Sequence, residues 1–195
     1  GQVPVREYWD VSLRQLAGRA LRDARADAGN LQPQVIYAGS MLAASASHQA
    51  NLGALICEVA GLAGQAEGVT AEAAEASGAA ALNLAWQAIR SGFVDVAAVV
   101  GVEKVTDVVG AGNELELLGA SLDADYESSE GLTPTGQAAL LLQRYLYENQ
   151  FPRDVLRSFP MIARANAVNN PNAFFQRTLS AKAYEQAPTE AEPLN

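Results

Sequence analysis

Glu75 sits in the run Ala71-Glu72-Ala73-Ala74-Glu75-Ala76-Ser77-Gly78-Ala79-Ala80-Ala81, a carboxylate among very small side chains. A carboxylate so placed can abstract a proton or orient a water molecule. At the start of a helix it would also meet free N–H groups and a positive partial charge, which suit an anion, an oxyanion or a nucleophile of lowered pKa. The small neighbours let something pack closely against this helix start. The plain alternative is an acid of the first helical turn stabilised by the dipole.

Other chemistry-bearing residues are few. Cys57 is the one cysteine and His48 the one histidine. Cys57, in Leu55-Ile56-Cys57-Glu58-Val59, lies on an apolar stretch and reads as a buried structural thiol. His48, in Ser45-Ala46-Ser47-His48-Gln49, reads as a surface or capping residue ahead of the same helix. One of each builds no zinc site without carboxylates at suitable spacing, so no metal is expected. There is no Gly-x-Gly-x-x-Gly or Walker-type loop. Nor does a Gly-x-Ser-x-Gly elbow support a Ser-His-Asp triad.

Charge is placed unevenly. Residues 105–143 hold no Lys or Arg but do hold Asp107, Glu114, Glu116, Asp123, Asp125, Glu127 and Glu130. In residues 144–182 the balance reverses: Arg144, Arg153, Arg157, Arg164, Arg177 and Lys182 face only Glu148 and Asp154. An arginine-rich segment in an acidic chain suits a polyanionic small molecule, because guanidinium forks match phosphate oxygens. Solvated helix faces are the plain alternative.

Positioning these residues requires alternating helices and strands. Ser12 is a fitting N-cap for a helix with Leu13, Leu16, Ala17, Ala20, Leu21 and Ala24 at 3.6-residue spacing, and Gly29 fits its stop. Residues 34–39 read as a short buried strand and residues 51–62 as a helix closed by Gly61 or Gly64. Residues 69–73 read as a strand and 79–90 as a small-residue helix ending at Ser91-Gly92. Residues 95–102 form the longest apolar β-rich run, the pattern expected of a strand covered on both faces. The alternation predicts an α/β fold with a largely parallel sheet. Residues 106–131 read as irregular connections, and Pro134 opens a helix through Tyr145. A further helix is expected over 153–167, a turn at Asn169-Asn170-Pro171-Asn172, and an extended, proline-punctuated end over 187–195.

With 195 residues, 49% hydrophobic and 18% charged, the chain suits one well-packed globular domain. The net charge of -9 argues against nucleic-acid binding. No apolar stretch approaches the roughly 20 residues needed to cross a bilayer, and no signal peptide is visible. A single cysteine excludes an internal disulfide and fits a reducing cytoplasm. The chain opens on Gly1-Gln2 without an initiator methionine, so a preceding segment is expected.

The run around Glu75 closely resembles the nucleophile motif of thiolases, roughly Glu-Ala-Ala-Cys-Ala-Ser-Gly, with glutamate where that family carries its reactive cysteine. Gly1-Gln2-Val3-Pro4-Val5 resembles the segment after the first strand of archaeal-type and sterol-carrier-type members, which implies a missing first strand. Ser91-Gly92-Phe93-Val94-Asp95, then Gly101-Val102-Glu103-Lys104-Val105-Thr106, are similar to the family's "SG-x-x-D … GVEKMT" stretch. Asn170-Pro171-Asn172-Ala173 resembles its "NP-x-A" element, and Pro193-Leu194 the boundary before the second half.

The resemblance implies the N-terminal half of a five-layered αβαβα fold with an inserted loop region. It implies a thiolase-like α/β core over 1–104, a coenzyme A-side insertion over 105–185 and a linker over 186–195. A half without its partner layer is expected to expose an apolar sheet or helix face. The resemblance implies acyl-CoA as substrate or ligand, no covalently bound cofactor, and a homodimer or homotetramer. Glu75 would occupy the nucleophile position, with Arg144, Arg153, Arg164 and Arg177 on the coenzyme A side. Three readings follow: an acyl-CoA enzyme of non-thiolytic chemistry, a non-catalytic subunit scaffolding a complex (for example with a zinc-containing OB-fold partner), or an ordinary acetyl-CoA C-acyltransferase.

Overall fold

Ser12 opens the first helix, as its capping pattern predicts: its N–H donates to the Gln15 side chain at 2.9 Å. In the computed structural model, which describes residues 1–108 and 117–194, this helix α1 spans Leu13–Asp27. It stops ahead of Gly29 and Asn30, both left-handed, with φ of 71° and 60°. There follow β1 (Val35–Gly39), α2 (Ala43–Ala46), α3 (Leu52–Val59), β2 (Glu67–Ala71), α4 (Ser77–Arg90) and β3 (Ala97–Gly101). The strands form a parallel sheet in the order β2-β1-β3.

Period-two alternation along β1 divides the core into two layers. Ile36 and Ala38 pack with Leu13, Leu21, Leu52 and Ile56 of α1 and α3. Val35 and Tyr37 pack with Ala81, Ala85 and Ala88 of α4. Fully burying a side chain such as Ile36, Leu52 or Ile56 contributes about 1.5–3 kcal/mol. The sheet is therefore covered by helices on both faces, as parallel sheets require.

The strand buried along its whole length is β1, not β3. β3 is the longest apolar run in the sequence, yet among the described residues it pairs only with β1 and is partly open, with Val99 exposed. Run length reflects composition; position in a sheet depends on pairing with distant segments, which no local pattern records.

The chain divides into two units, Gly1–Val3 with Glu7–Leu117, and Pro4–Arg6 with Leu118–Asn195. The second holds α5 (Pro134–Asn149), α6 (Ser158–Ala167), α7 (Ala181–Glu185) and short 3-10 turns at Gly119–Ser121, Ser128–Glu130 and Arg153–Leu156. Thr133 caps α5, its hydroxyl accepting from Gly136 N–H at 3.1 Å, with Pro134 in the first helical position. Asn170 forms the expected turn by accepting from Asn172 N–H at 3.0 Å. Of the irregular stretch expected over 106–131, residues 109–116 lie outside the described residues.

Two expectations give way here. The helix over 153–167 is split into a 3-10 turn and α6. A continuous helix would bury Pro160 in its interior, where it has no N–H to give; starting anew at Ser158 puts Pro160 in a first turn. The chain end is not extended: Leu194 N–H donates to Ala191 carbonyl at 2.7 Å, and Gln143 Nε2 donates to Glu192 carbonyl at 2.6 Å.

Candidate functional site

The carboxyl ends of the three strands are in register, Gly39 opposite both Ala71 and Gly101. Three loops therefore leave the sheet from one edge, the edge at which open α/β sheets bind ligands. Ala71 leads to Glu75, Gly39 to Ser40 and Leu42, and Gly101 to Glu103. The Glu103 carboxylate ties two of these loops together. It accepts from Ser40 Oγ at 3.0 Å, from Met41 N–H, and from Leu42 N–H at 3.2 Å. Ser40 Oγ accepts in turn from Ala43 N–H at 3.1 Å, fixing the start of α2. Beside Glu103, the buried Lys104 ammonium pairs with Asp107 at 2.7 Å.

The third loop is a tight elbow between β2 and α4. Ala74 has φ of 50°, a left-handed conformation that costs a non-glycine residue about 1–2 kcal/mol. The elbow is held from both sides. Ala74 N–H donates to Glu72 Oε1 at 2.6 Å. The Ser77 hydroxyl donates to Ala74 carbonyl at 2.6 Å and accepts from Ala73 N–H at 2.9 Å. Glu75 follows the strained residue directly and is exposed. It lies before the N-cap Ala76 rather than in the first helical turn, because α4 begins at Ser77.

The small side chains around Glu75 serve close packing of backbone. A Cβ at Gly39 would meet Ser77 carbonyl oxygen at 2.6 Å and Gly78 Cα at 2.8 Å. Strand β1 thus packs against one side of the α4 start. The other side is open: Gly78 is exposed, and a Cβ there would meet nothing within 4 Å.

The four arginines singled out in the sequence lie in the second unit, and most are engaged locally. Arg144 donates to Glu148 at 2.7 Å. Arg153 donates to Glu192 at 2.8 Å and lines a cleft of about 270 Å³ with Leu142, Leu156, Phe159, Tyr184 and Leu194. Arg164 lies over the Phe175 ring at 4.0 Å, and its Nη1 is buried with no hydrogen-bond partner among the described residues. Arg177 is exposed. Arg157 meets Glu185 at 3.3 Å. Glu185 and Glu192 lie beyond the segment whose charges were counted, so its basic excess is partly neutralised. These exposed pairs contribute little stability.

Cys57 is buried on α3, and burial pushes its thiol pKa up. His48 is exposed, with φ of 50°, in the loop before α3. Among the described residues no group of three His, Cys, Asp or Glu could hold a metal ion. No described helix is long and apolar enough to cross a membrane. Sequence reasoning found Glu75 but missed Ser40, Ala74, Ser77 and Glu103 as the residues that shape the edge. Ser77 carries a local signal, a serine just past a small-residue turn. Glu103 carries none, since its partners lie some 60 residues away.

The chain matches the family model "Thiolase, N-terminal domain" over residues 5–188. It is 33% identical over 190 residues to an acetyl-CoA acetyltransferase of Methanothermobacter thermautotrophicus, covering 96% of this chain and 49% of that protein. It is 34% identical over 198 residues to an acetyl-CoA acetyltransferase of Methanocaldococcus jannaschii, covering 100% and 49%. It is 30% identical over 134 residues to benzoylsuccinyl-CoA thiolase subunit BbsB of Thauera aromatica, covering 69% and 34%. The chain thus spans about half the length of the first two relatives.

Proposed function

This chain belongs to the thiolase family, and from that premise we propose that it acts on an acyl-CoA without forming a covalent acyl-enzyme at residue 75. The observation that supports this reading is Glu75, exposed at the elbow on the carboxyl edge of the sheet, in the run that resembles the family's cysteine motif. A thiolate attacking a thioester gives another thioester, nearly equal in energy and still reactive. A carboxylate would give a mixed anhydride, a far less stable species. Glu75 therefore serves as a general base, taking a proton from the carbon α to the thioester or from a bound water, or as a fixed anion at the elbow.

Coenzyme A carries phosphates, and the proposed side for them is the segment holding Arg144, Arg153, Arg164 and Arg177. Arg177 supports this most directly, because its guanidinium is on an exposed residue where a phosphate oxygen can reach it. A homodimer or homotetramer is the proposed assembly; β2 pairs only with β1 among the described residues and leaves one edge for a second copy. The cytoplasm is the proposed compartment, resting on one buried, unpaired cysteine.

The test incubates the full-length protein with acetyl-CoA or acetoacetyl-CoA, follows thiol release and searches for acylated peptides by mass spectrometry. Conversion with no acyl adduct, abolished by Glu75→Gln, is the expected result. A stable acyl adduct with thiolysis would return the protein to the ordinary acyltransferases. Coenzyme A binding without conversion would favour the scaffolding subunit, alone or with a zinc-containing OB-fold partner. Glu75→Cys is expected to gain acyl-enzyme formation; if it does not, the fault lies in the remaining machinery.

A further inference from the structure

We propose that Ser77 is the positioning residue of this site, its buried hydroxyl clamping the elbow so that residue 75 is presented at the carboxyl edge of the sheet. The inference rests on reading residue 75 as the reacting position. Ser77 is 4% exposed, so its bonds face little competition from water. Its hydroxyl spends its donor on Ala74 carbonyl and one acceptor site on Ala73 N–H, at 2.6 Å and 2.9 Å. Both partners belong to the two residues just before Glu75. Between them Ala74 is held at φ of 50°, which alanine does not adopt unaided. Two backbone bonds close the same turn, Ala76 N–H to Ala73 carbonyl at 2.9 Å and Ser77 N–H to Ala74 carbonyl at 3.1 Å, and a further brace comes from the exposed Glu72 side chain.

Without the Ser77 hydroxyl the two backbone bonds remain, but Ala73 N–H loses its partner and Ala74 is freed to relax toward a negative φ. That rotates the peptide leading into residue 75 and moves the residue off the site. Glycine at 74 adopts the left-handed conformation without penalty. The clamp therefore has a specific signature: its loss is repaired by Ala74→Gly.

The test uses the full chain carrying Glu75→Cys, so that a thiol reports the local field. Iodoacetamide alkylation of residue 75 is followed against pH by mass spectrometry, with the buried Cys57 as internal control and thermal melts in parallel. Adding Ser77→Ala is expected to slow alkylation at pH 7 about tenfold and move the profile to higher pH, as for a thiol leaving the field of a helix start. Adding Ala74→Gly as well is expected to restore the profile. An unchanged profile in the Ser77→Ala background overturns the proposal, as does a triple variant that recovers its melt but not its profile. If the Ser77→Ala protein does not fold, the triple variant is expected to fold with the parent profile; its failing to fold also overturns the proposal. Acyl-CoA conversion is not measured here, so failure of the functional reading leaves this outcome untouched.

Discussion

Glu75 and Cys57, two side chains with titratable groups, stand in opposite surroundings. Glu75 is exposed at a strained elbow; Cys57 is enclosed by α1, α3 and the sheet. Cys57 therefore offers no exposed thiol. We expect it to resist thiol reagents in the native protein and to react fully once denatured, as a timed labelling assay with and without urea would read. Its raised pKa also bears on stability. The folded state keeps the proton longer than the unfolded chain, whose thiol ionises at the ordinary cysteine value. The contribution is fully present below that value and is lost as pH rises through the folded pKa. Urea melts across the alkaline range should show wild type losing stability faster than Cys57→Ala; parallel curves would refute this.

The α3–β2 contact is set by two glycines facing each other. A Cβ on Gly53 would meet Val69 backbone atoms at 2.6 Å, and one on Gly68 would meet Gly53 at 2.5 Å. Thr70 Oγ1 accepts from Gly53 N–H at 2.9 Å across the same contact. Gly53→Ala is expected to destabilise the fold by about 1–3 kcal/mol, the cost of forcing packed backbones apart; a denaturant midpoint unchanged from wild type would refute it. Neither glycine announces this role in sequence, where Gly53 looks like a mere weakness in a helix. The elements themselves were readable because periodicity, capping and proline placement are local: Ser12 and Pro134 open α1 and α5 where the sequence puts them. What escaped was non-local. The central place of β1, the tie from Glu103 to Ser40 and the pairing of Arg153 with Glu192 join residues far apart in the chain. Helix α7 escaped for another reason, being too short at Ala181–Glu185 to show a period.

At the scale of the molecule, α4 carries an apolar stripe exposed among the described residues. Leu82, Trp86 and Ile89, continued by Phe93, are 61%, 59%, 47% and 64% exposed, at the spacing of a helix-packing seam. An apolar helix face was expected of one half of a layered pair, and a stripe of this kind marks an interaction surface. The 195-residue chain by itself should bind a hydrophobic dye such as ANS. Replacing Leu82, Trp86 and Ile89 together with Gln should reduce that signal severalfold without loss of helical circular dichroism. Dye binding that ignores the triple variant would place the exposed apolar surface elsewhere. The strand order has a consequence of a different kind, in time rather than space. β1 is the sheet's only strand with two described neighbours, and it must close loops of roughly 30 residues to β2 and roughly 60 to β3. The shorter closure also assembles α3, so β1, α3 and β2 should gain protection first in pulsed hydrogen exchange, with β3 docking afterwards. The elbow bearing Glu75 would then take shape early, while the carboxylate of Glu103 arrives last to fasten the edge beside it.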